Sequence, residues 1–176
     1  MTGILIRRAV APDFGDIVSL NTNAVQHTSP MSRERLRELD DLSSYHVVAE
    51  ADGNIAGFLL AMRENCLYDS TNYAWFCARF PVFLYVDRIV VDPTSAGSGI
   101  GSRLYESLFE FARSSGVPVI SCEYNIIPPN EASRAFHQKF GFGEVGTQWL
   151  EDRTKKVSMQ ALSIGQLATK DKVTPE

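Results

Sequence analysis

Two hydrophobic rhythms alternate along the chain. Ile4 to Val10 reads as a strand, ended by Ala11-Pro12. Pro12-Asp13 then open a stretch in which Phe14, Ile17, Leu20 and Ala24 recur at helical spacing. Ser29-Pro30 breaks the chain. Ser32 stands as the N-cap of a second, highly charged helix whose apolar residues are Leu36, Leu39 and Leu42. Tyr45 to Ala51 and Ile55 to Met62 read as strands joined by Asp52-Gly53-Asn54, a hairpin signal. Residues 63–81 show no regular period, although they carry Tyr68, Tyr73, Trp75, Phe76 and Phe80. Phe83 to Val91 is rich in β-branched residues and fits a buried strand.

A Gly- and Ser-rich stretch from Asp92 to Gly101 separates that strand from an amphipathic helix. Ile100, Leu104, Leu108 and Phe111 form the helix's apolar stripe, with Arg103, Glu106, Glu110 and Arg113 off it. Gly116 and Pro118 end the helix, and Val119 to Tyr124 reads as another buried strand. Pro128-Pro129 opens a short helix over 130–139, which Gly141 stops. Phe142 to Thr147 and Lys156 to Leu162 are the last strands, before a polar end. The order β-α-α-β-β-β-α-β-α-β-β mixes hairpins with one βαβ crossover. It predicts an α/β chain with a mixed sheet and helices on both faces.

Composition narrows the function. A length of 176 residues suits one domain with a substantial core. The net charge of −4 speaks against a nucleic-acid binder but leaves room for an anionic ligand held by backbone N–H groups. No apolar run approaches the roughly 18–20 residues of a bilayer span, and MTGILIRRAV lacks a signal-peptide pattern. Cys66, Cys77 and Cys122 are odd in number and irregular in spacing. They fit reduced thiols in a cytoplasmic protein, and no CxxC spacing suggests a metal. The expectation is a cytoplasmic protein with no membrane, metal or nucleic-acid partner.

The strongest chemical signal is Gly97-Ser98-Gly99-Ile100-Gly101 between a buried strand and a helix. A helix N-terminus offers unpaired N–H groups and partial positive charge, and glycines let a ligand approach the backbone. Phosphate or pyrophosphate suits that geometry, while a tight strand-to-helix turn without ligand is the plain alternative. No lysine follows Gly101, so a Walker loop is excluded. A dinucleotide loop needs its third glycine one residue later. Glu123 stands where a ribose-binding acid would belong, but too little chain follows for a doubly wound sheet.

Two segments carry a resemblance. Asp87 to Pro93 followed by Ala96-Gly97-Ser98-Gly99-Ile100-Gly101-Ser102-Arg103-Leu104 resembles motif A of the GNAT acetyltransferases, a strand, an Arg/Gln-x-x-Gly-x-Gly/Ala loop and a helix. Asn130 to Phe142, which includes Ala132, Phe136, His137, Gly141 and Phe142, resembles their motif B, Asn-x-x-Ala-x-x-Phe-Tyr-x-x-x-Gly-Phe. The element order is similar over roughly residues 3–162, and the chain most resembles a bacterial branch of the family. The resemblance implies one acetyltransferase domain over residues 1–162, and the polar end over 163–176 reads as a flexible tail. It further implies a mixed, mostly antiparallel sheet that splays between its fourth and fifth strands.

The same resemblance implies acetyl-CoA as cosubstrate. Backbone groups of Ile89, Val90 and Val91 would pair with the pantetheine arm. N–H groups from Gly97, Ser98, Gly99, Ile100, Gly101 and Ser102 would hold the pyrophosphate, and Asn130, Ser133 and His137 would contact the lower arm. Ala96 stands where the family has Arg or Gln, so Arg103 would supply the nearby basic side chain. His137 stands where many members have the tyrosine that protonates the departing thiolate. Asn130, Ser133 and His137 at i, i+3 and i+7 share one helix face, next to an apolar face of Ala132, Phe136 and Phe140.

Acetyl transfer to an amine needs a base for the amine, a donor for the oxyanion and a proton for the thiolate. A backbone N–H near Val91 suits the oxyanion, and imidazole at His137 suits the thiolate. Asp87, on one strand face with Ile89 and Val91, and Glu123, after the apolar run Val119 to Cys122, are the two base candidates. Either acid could instead be paired with an arginine, Arg88 or Arg134. The stretch Tyr68 to Tyr85 with Asn65, Asp69 and Asn72 is longer than a link needs. Together with His27 to Ser32 it could wall the acceptor pocket, or simply be core. The expected activity is N-acetylation of a primary amine on a small molecule, amino acid or peptide N-terminus. A non-catalytic CoA-binding module is the alternative, and a dinucleotide oxidoreductase a distant third. A homodimer stays open, since no coiled-coil seam is visible.

Overall fold

The structure, a computed structural model, describes residues 3–24, 28–150 and 153–165. In chain order it comprises β1 (Leu5–Arg8), α1 (Phe14–Asn23), α2 (Arg33–Leu42), β2 (Tyr45–Ala51), β3 (Asn54–Arg63), α3 (Thr71–Cys77), β4 (Leu84–Val91), α4 (Ile100–Ser114), β5 (Val119–Ile127), α5 (Glu131–Lys139), β6 (Gly143–Trp149) and β7 (Lys156–Ser163). Short 3-10 turns lie at Ala11–Asp13 and Pro93–Ser95. The strands follow the order β1-β2-β3-β4-β5-β7-β6. The ladders β1–β2, β2–β3, β5–β7 and β6–β7 are antiparallel. β4 and β5, joined through α4, run parallel and pair only Leu84 with Ile120 and Tyr85 with Ser121. This is the mixed, mostly antiparallel sheet with a splayed fourth and fifth strand that the resemblance implies.

Two compact units share the chain, residues 1–66 with 86–111, and residues 67–85 with 112–176. In the first, Asp52 and Gly53 turn the β2–β3 hairpin with φ of 52° and 78°, the left-handed pair that a two-residue turn requires. Every residue of β3 from Ala56 to Met62 is buried, so both faces of that strand are covered. The neighbours Tyr45 and His46 point to opposite faces. Tyr45 meets α4, with its ring 4.8 Å from Phe111 and its hydroxyl 2.6 Å from Ser107 Oγ. His46 meets the other helices, at 6.1 Å from the Phe14 ring of α1 and 2.7 Å from Asp40 of α2. Gly57 lets β3 approach closely, since a Cβ there would stand 2.9 Å from the Val90 carbonyl oxygen and 3.0 Å from Ile100 Cγ2.

The second unit is built around β5. Glu123 and Tyr124, adjacent on that strand, face opposite ways. The Glu123 side carries α3, and the Tyr124 side carries α5, whose His137 ring stacks on Tyr124 at 5.9 Å. Tyr68, Tyr73, Phe76, Phe80, Phe83 and Tyr85 form one aromatic cluster with centroid spacings of 5.7–6.5 Å. Burial of each large ring contributes about 1.5–3 kcal/mol.

Three expectations change. Residues 71–77, inside the stretch with no regular period, form α3. Ser70 caps this helix, its Oγ accepting from the Tyr73 N–H at 3.3 Å. Only Tyr73 and Phe76 of α3 are fully buried, too few for a visible 3.6-residue period. In α5, Ala132 is exposed and His137, expected on the polar face, is the buried residue. At the C-terminus, Ser163 still belongs to β7 and Ile164 is buried, its N–H donating to the Pro118 carbonyl at 2.9 Å. The rest of the expected tail, residues 166–176, lies outside the described residues.

Candidate active site

The glycine loop begins at Asp92. Its N–H donates to the Ala56 carbonyl at 2.8 Å, and its carboxylate accepts from the Thr94 N–H at 2.8 Å and the Thr94 hydroxyl at 2.7 Å. The Thr94 hydroxyl first, and its N–H second, hold the Asp92 carboxyl below its usual range. Ala96 and Ser98 turn their N–H groups back onto the Pro93 and Ser95 carbonyls. Gly97 and Gly99 take φ of 79° and 87°, and a Cβ at either would meet nothing within 4 Å. Backbone conformation, not crowding, therefore demands glycine there. The first helical hydrogen bond of α4 runs from the Arg103 N–H to the Gly99 carbonyl at 3.0 Å. The first turn of α4, with the Ile100 and Gly101 N–H groups, thus lies beside an exposed loop from Ala96 to Gly99. Such an arrangement can hold an anion. Arg103 is exposed and stands 3.5 Å from Glu106.

On β4 the alternation is clear. Arg88 and Val90 are buried, whereas Asp87, Ile89 and Val91 share the less covered face. Asp87 accepts from Arg88 Nε at 3.0 Å, with only 7% of either side chain exposed. Arg88 Nη1 also donates to Asn21 Oδ1 at 2.9 Å and to the Ser29 carbonyl at 2.7 Å. Arg88 therefore ties β4 to α1 and to Ser29, within the His27–Ser32 segment of the expected acceptor wall. His27 lies outside the described residues.

Glu123 is not paired with Arg134, which instead meets Glu131 at 2.8 Å on the surface of α5. Glu123 Oε1 accepts from Asn72 Nδ2 at 2.8 Å and from the Tyr85 hydroxyl at 2.9 Å. Asn72 Oδ1 in turn accepts from Gln148 Nε2 at 2.8 Å. Sequence reading placed Asn72 near the acceptor and did not single out Tyr85 or Gln148, 38 and 25 positions from Glu123. The Ser70 cap was the one local signal that could have revealed the helix carrying Asn72.

In α5, Asn130 Oδ1 caps the helix by accepting from the Ser133 N–H at 3.1 Å. His137 is 3% exposed. Its Nδ1 lies 2.7 Å from the Ser133 carbonyl and 3.2 Å from Ser133 Oγ, so it donates to the carbonyl. Phe136 and Phe142 present their edges to it at 5.4 Å. Burial pushes the His137 imidazole below its ordinary value, partly opposed by the bond to Ser133.

The chain is similar to known proteins. The sequence profile described as the acetyltransferase (GNAT) family matches residues 11–142, a span that includes the glycine loop, Glu123 and α5. Over 111 residues the chain is 32% identical to N-alpha-acetyltransferase RimI of Mycobacterium tuberculosis, covering 62% of this chain and 59% of that protein. Over 59 residues it is 42% identical to phosphinothricin N-acetyltransferase of Streptomyces coelicolor, covering 34% of this chain and 33% of that protein. The matches thus span less than two thirds of either curated relative. The fold matches that of yncA from Salmonella typhimurium, solved with its cofactor acetyl-CoA, at a TM-score of 0.67 and 20% identity over 93% of this chain and 95% of that one. With three quarters of its length inside the family profile, this chain belongs to the acetyltransferase (GNAT) family.

Proposed function

We propose that the chain is an N-acetyltransferase that uses acetyl-CoA to acetylate a primary amine of a small molecule, amino acid or peptide N-terminus. The carrying observation is the exposed glycine loop, where left-handed Gly97 and Gly99 lead directly into the first turn of α4. Family membership and the acetyl-CoA bound to yncA support the same ligand. In this reading the N–H groups of the first α4 turn bind the diphosphate. The backbone of Ile89 to Val91 aligns the pantetheine arm, and the Val91 N–H faces the acyl oxygen as it gains negative charge.

Acetyl-CoA supplies the activated acyl group. Glu123 accepts the proton of the substrate ammonium, directly or through a water. The neutral amine nitrogen then forms the C–N bond at the acyl carbon, and as the tetrahedral intermediate collapses the C–S bond breaks and the second amine proton passes to solvent. Glu123 rather than Asp87 takes this role because Asp87 is committed to the buried Arg88 guanidinium, whereas Asn72 and Tyr85, which donate to Glu123, carry no charge. His137 serves as a packing residue. A thiol with an ordinary pKa near 8.5 leaves as a thiolate and takes its proton from solvent.

Calorimetric titration with acetyl-CoA, CoA and NAD tests the ligand assignment. Acetyl-CoA and CoA should bind and NAD should not. Gly99→Glu should weaken acetyl-CoA binding by more than about tenfold, since it sets a carboxylate beside the N–H groups that hold the diphosphate. Unchanged affinity in that variant would remove the loop from the site.

A further inference from the structure

The amide of Asn72 has a donor end and an acceptor end, and they are chemically opposite toward a carboxylate. With Nδ2 toward Glu123 it donates to Oε1 at 2.8 Å. With the amide reversed, Oδ1 would face the carboxylate and repel it. The contact with Glu123 therefore favours one orientation of the amide, but it holds the amide from one end only. Gln148 does so from the far side, where its Nε2 donates to Asn72 Oδ1 at 2.8 Å. A reversed Asn72 would then set Nδ2 against the Gln148 amide nitrogen, so two hydrogen bonds would be lost together.

The supporting elements fix both ends of this relay. Asn72 sits on α3, which is held to β6 by Trp75 packed over Gly146. Gln148 lies two residues along the same strand from Gly146, and both residues are half-buried. On Glu123 the Tyr85 hydroxyl adds a second donor at 2.9 Å. The chain Gln148→Asn72→Glu123 thus links an edge strand, a helix and the central strand of the second unit.

We infer that Gln148 is a positioning residue for Glu123, acting through Asn72, whose amide it locks with the donor end on the carboxylate. This rests on the assignment of Glu123 as the base. Its function is to keep the carboxylate ionised and aimed, ready to accept a proton from a cationic amine. Neither Asn72 nor Gln148 exchanges a proton in the reaction.

The test follows the side-chain carboxyl ¹³C resonance of Glu123 against pH, identified by its loss in Glu123→Gln. Removing a donor disfavours the charged form, so Gln148→Met and the shorter Gln148→Asn should each move the Glu123 titration midpoint upward by roughly one pH unit. Asn72→Ala should move it at least as far. Adding Gln148→Met to Asn72→Ala should move it no further, because Gln148 then has nothing to act through. A midpoint unmoved by either Gln148 substitution, or one moved equally with and without Asn72, would overturn the inference. The base assignment is read separately. If Glu123→Gln retained wild-type kcat/KM for an acetylated amine, that assignment would fail whatever the titration showed.

Discussion

Trp75 occupies the space that a side chain on Gly146 would need: a Cβ there would stand 2.6 Å from Trp75 Cζ2. Gly146 follows an irregularity in the β6–β7 register between Glu144 and Gly146, and Arg79 covers the Trp75 ring at 3.5 Å. The indole is therefore held between an arginine and a bare stretch of edge strand, and α3 is held with it. Gly146→Ala should force the ring away and destabilise the protein by about 1–3 kcal/mol, as overpacking does. Urea unfolding measures this, and an unchanged midpoint would show that Trp75 moves aside at no cost.

His137 separates two readings of α5. The family pattern makes it a proton donor, whose loss would lower kcat by roughly 10²–10⁴. Its burial among Tyr124, Phe136 and Phe142 instead predicts that His137→Ala leaves a cavity and costs about 2–4 kcal/mol. At saturating acetyl-CoA, kcat should change little under conditions where the variant is folded. A drop of two orders of magnitude in kcat in a folded His137→Ala protein would restore the donor role.

The same burial sets a pH dependence. His137 and His46 are both depressed chiefly by burial, so the unfolded chain binds protons that the folded one refuses. Stability from this source is complete above the unfolded value near 6.5 and falls as pH drops from there toward the depressed folded values. The melting temperature should therefore fall between about pH 7.5 and 5.5. His137→Phe should flatten part of that slope. A slope identical to wild type would mean that His137 takes up its proton in place.

For Asp87, the buried ion pair makes a prediction about stability rather than catalysis. Arg88→Met should cost about 3–5 kcal/mol, since it removes the guanidinium from a buried carboxylate and from the Asn21 and Ser29 oxygens. Asp87→Asn should leave the acid limb of the kcat/KM profile in place, while Glu123→Gln should remove it. If the limb vanished in Asp87→Asn and persisted in Glu123→Gln, the two roles would be exchanged.

What the sequence revealed follows from the range of the interactions involved. Strands with unbroken apolar runs, the Asp52-Gly53 turn and the glycine loop are local and were legible from spacing alone. α3 was not, because it is short, with Tyr73 and Phe76 pointing into a cluster assembled from residues 68–85 and Trp75 onto β6. The i, i+3, i+7 spacing on α5 correctly grouped Ser133 with His137 but could not say which way that face turns. Packing against Tyr124, thirteen positions away on another element, decides it. Glu123 was legible as an acid at the end of a buried run. Its donors Asn72 and Tyr85 come from separate elements, and no period in the sequence links them to it.

The central claim is turnover, and thiol release from acetyl-CoA measures it most directly. Wild-type protein should be presented with a panel of primary amines comprising free amino acids, short peptides with free N-termini and small metabolites. At least one should drive amine-dependent thiol release with a matching acetylated product by mass spectrometry. Gly99→Glu should suppress that release through binding, and Glu123→Gln should suppress it with acetyl-CoA affinity preserved. Tight acetyl-CoA binding with no amine-dependent release from any member of the panel would contradict the account and leave a CoA-binding module.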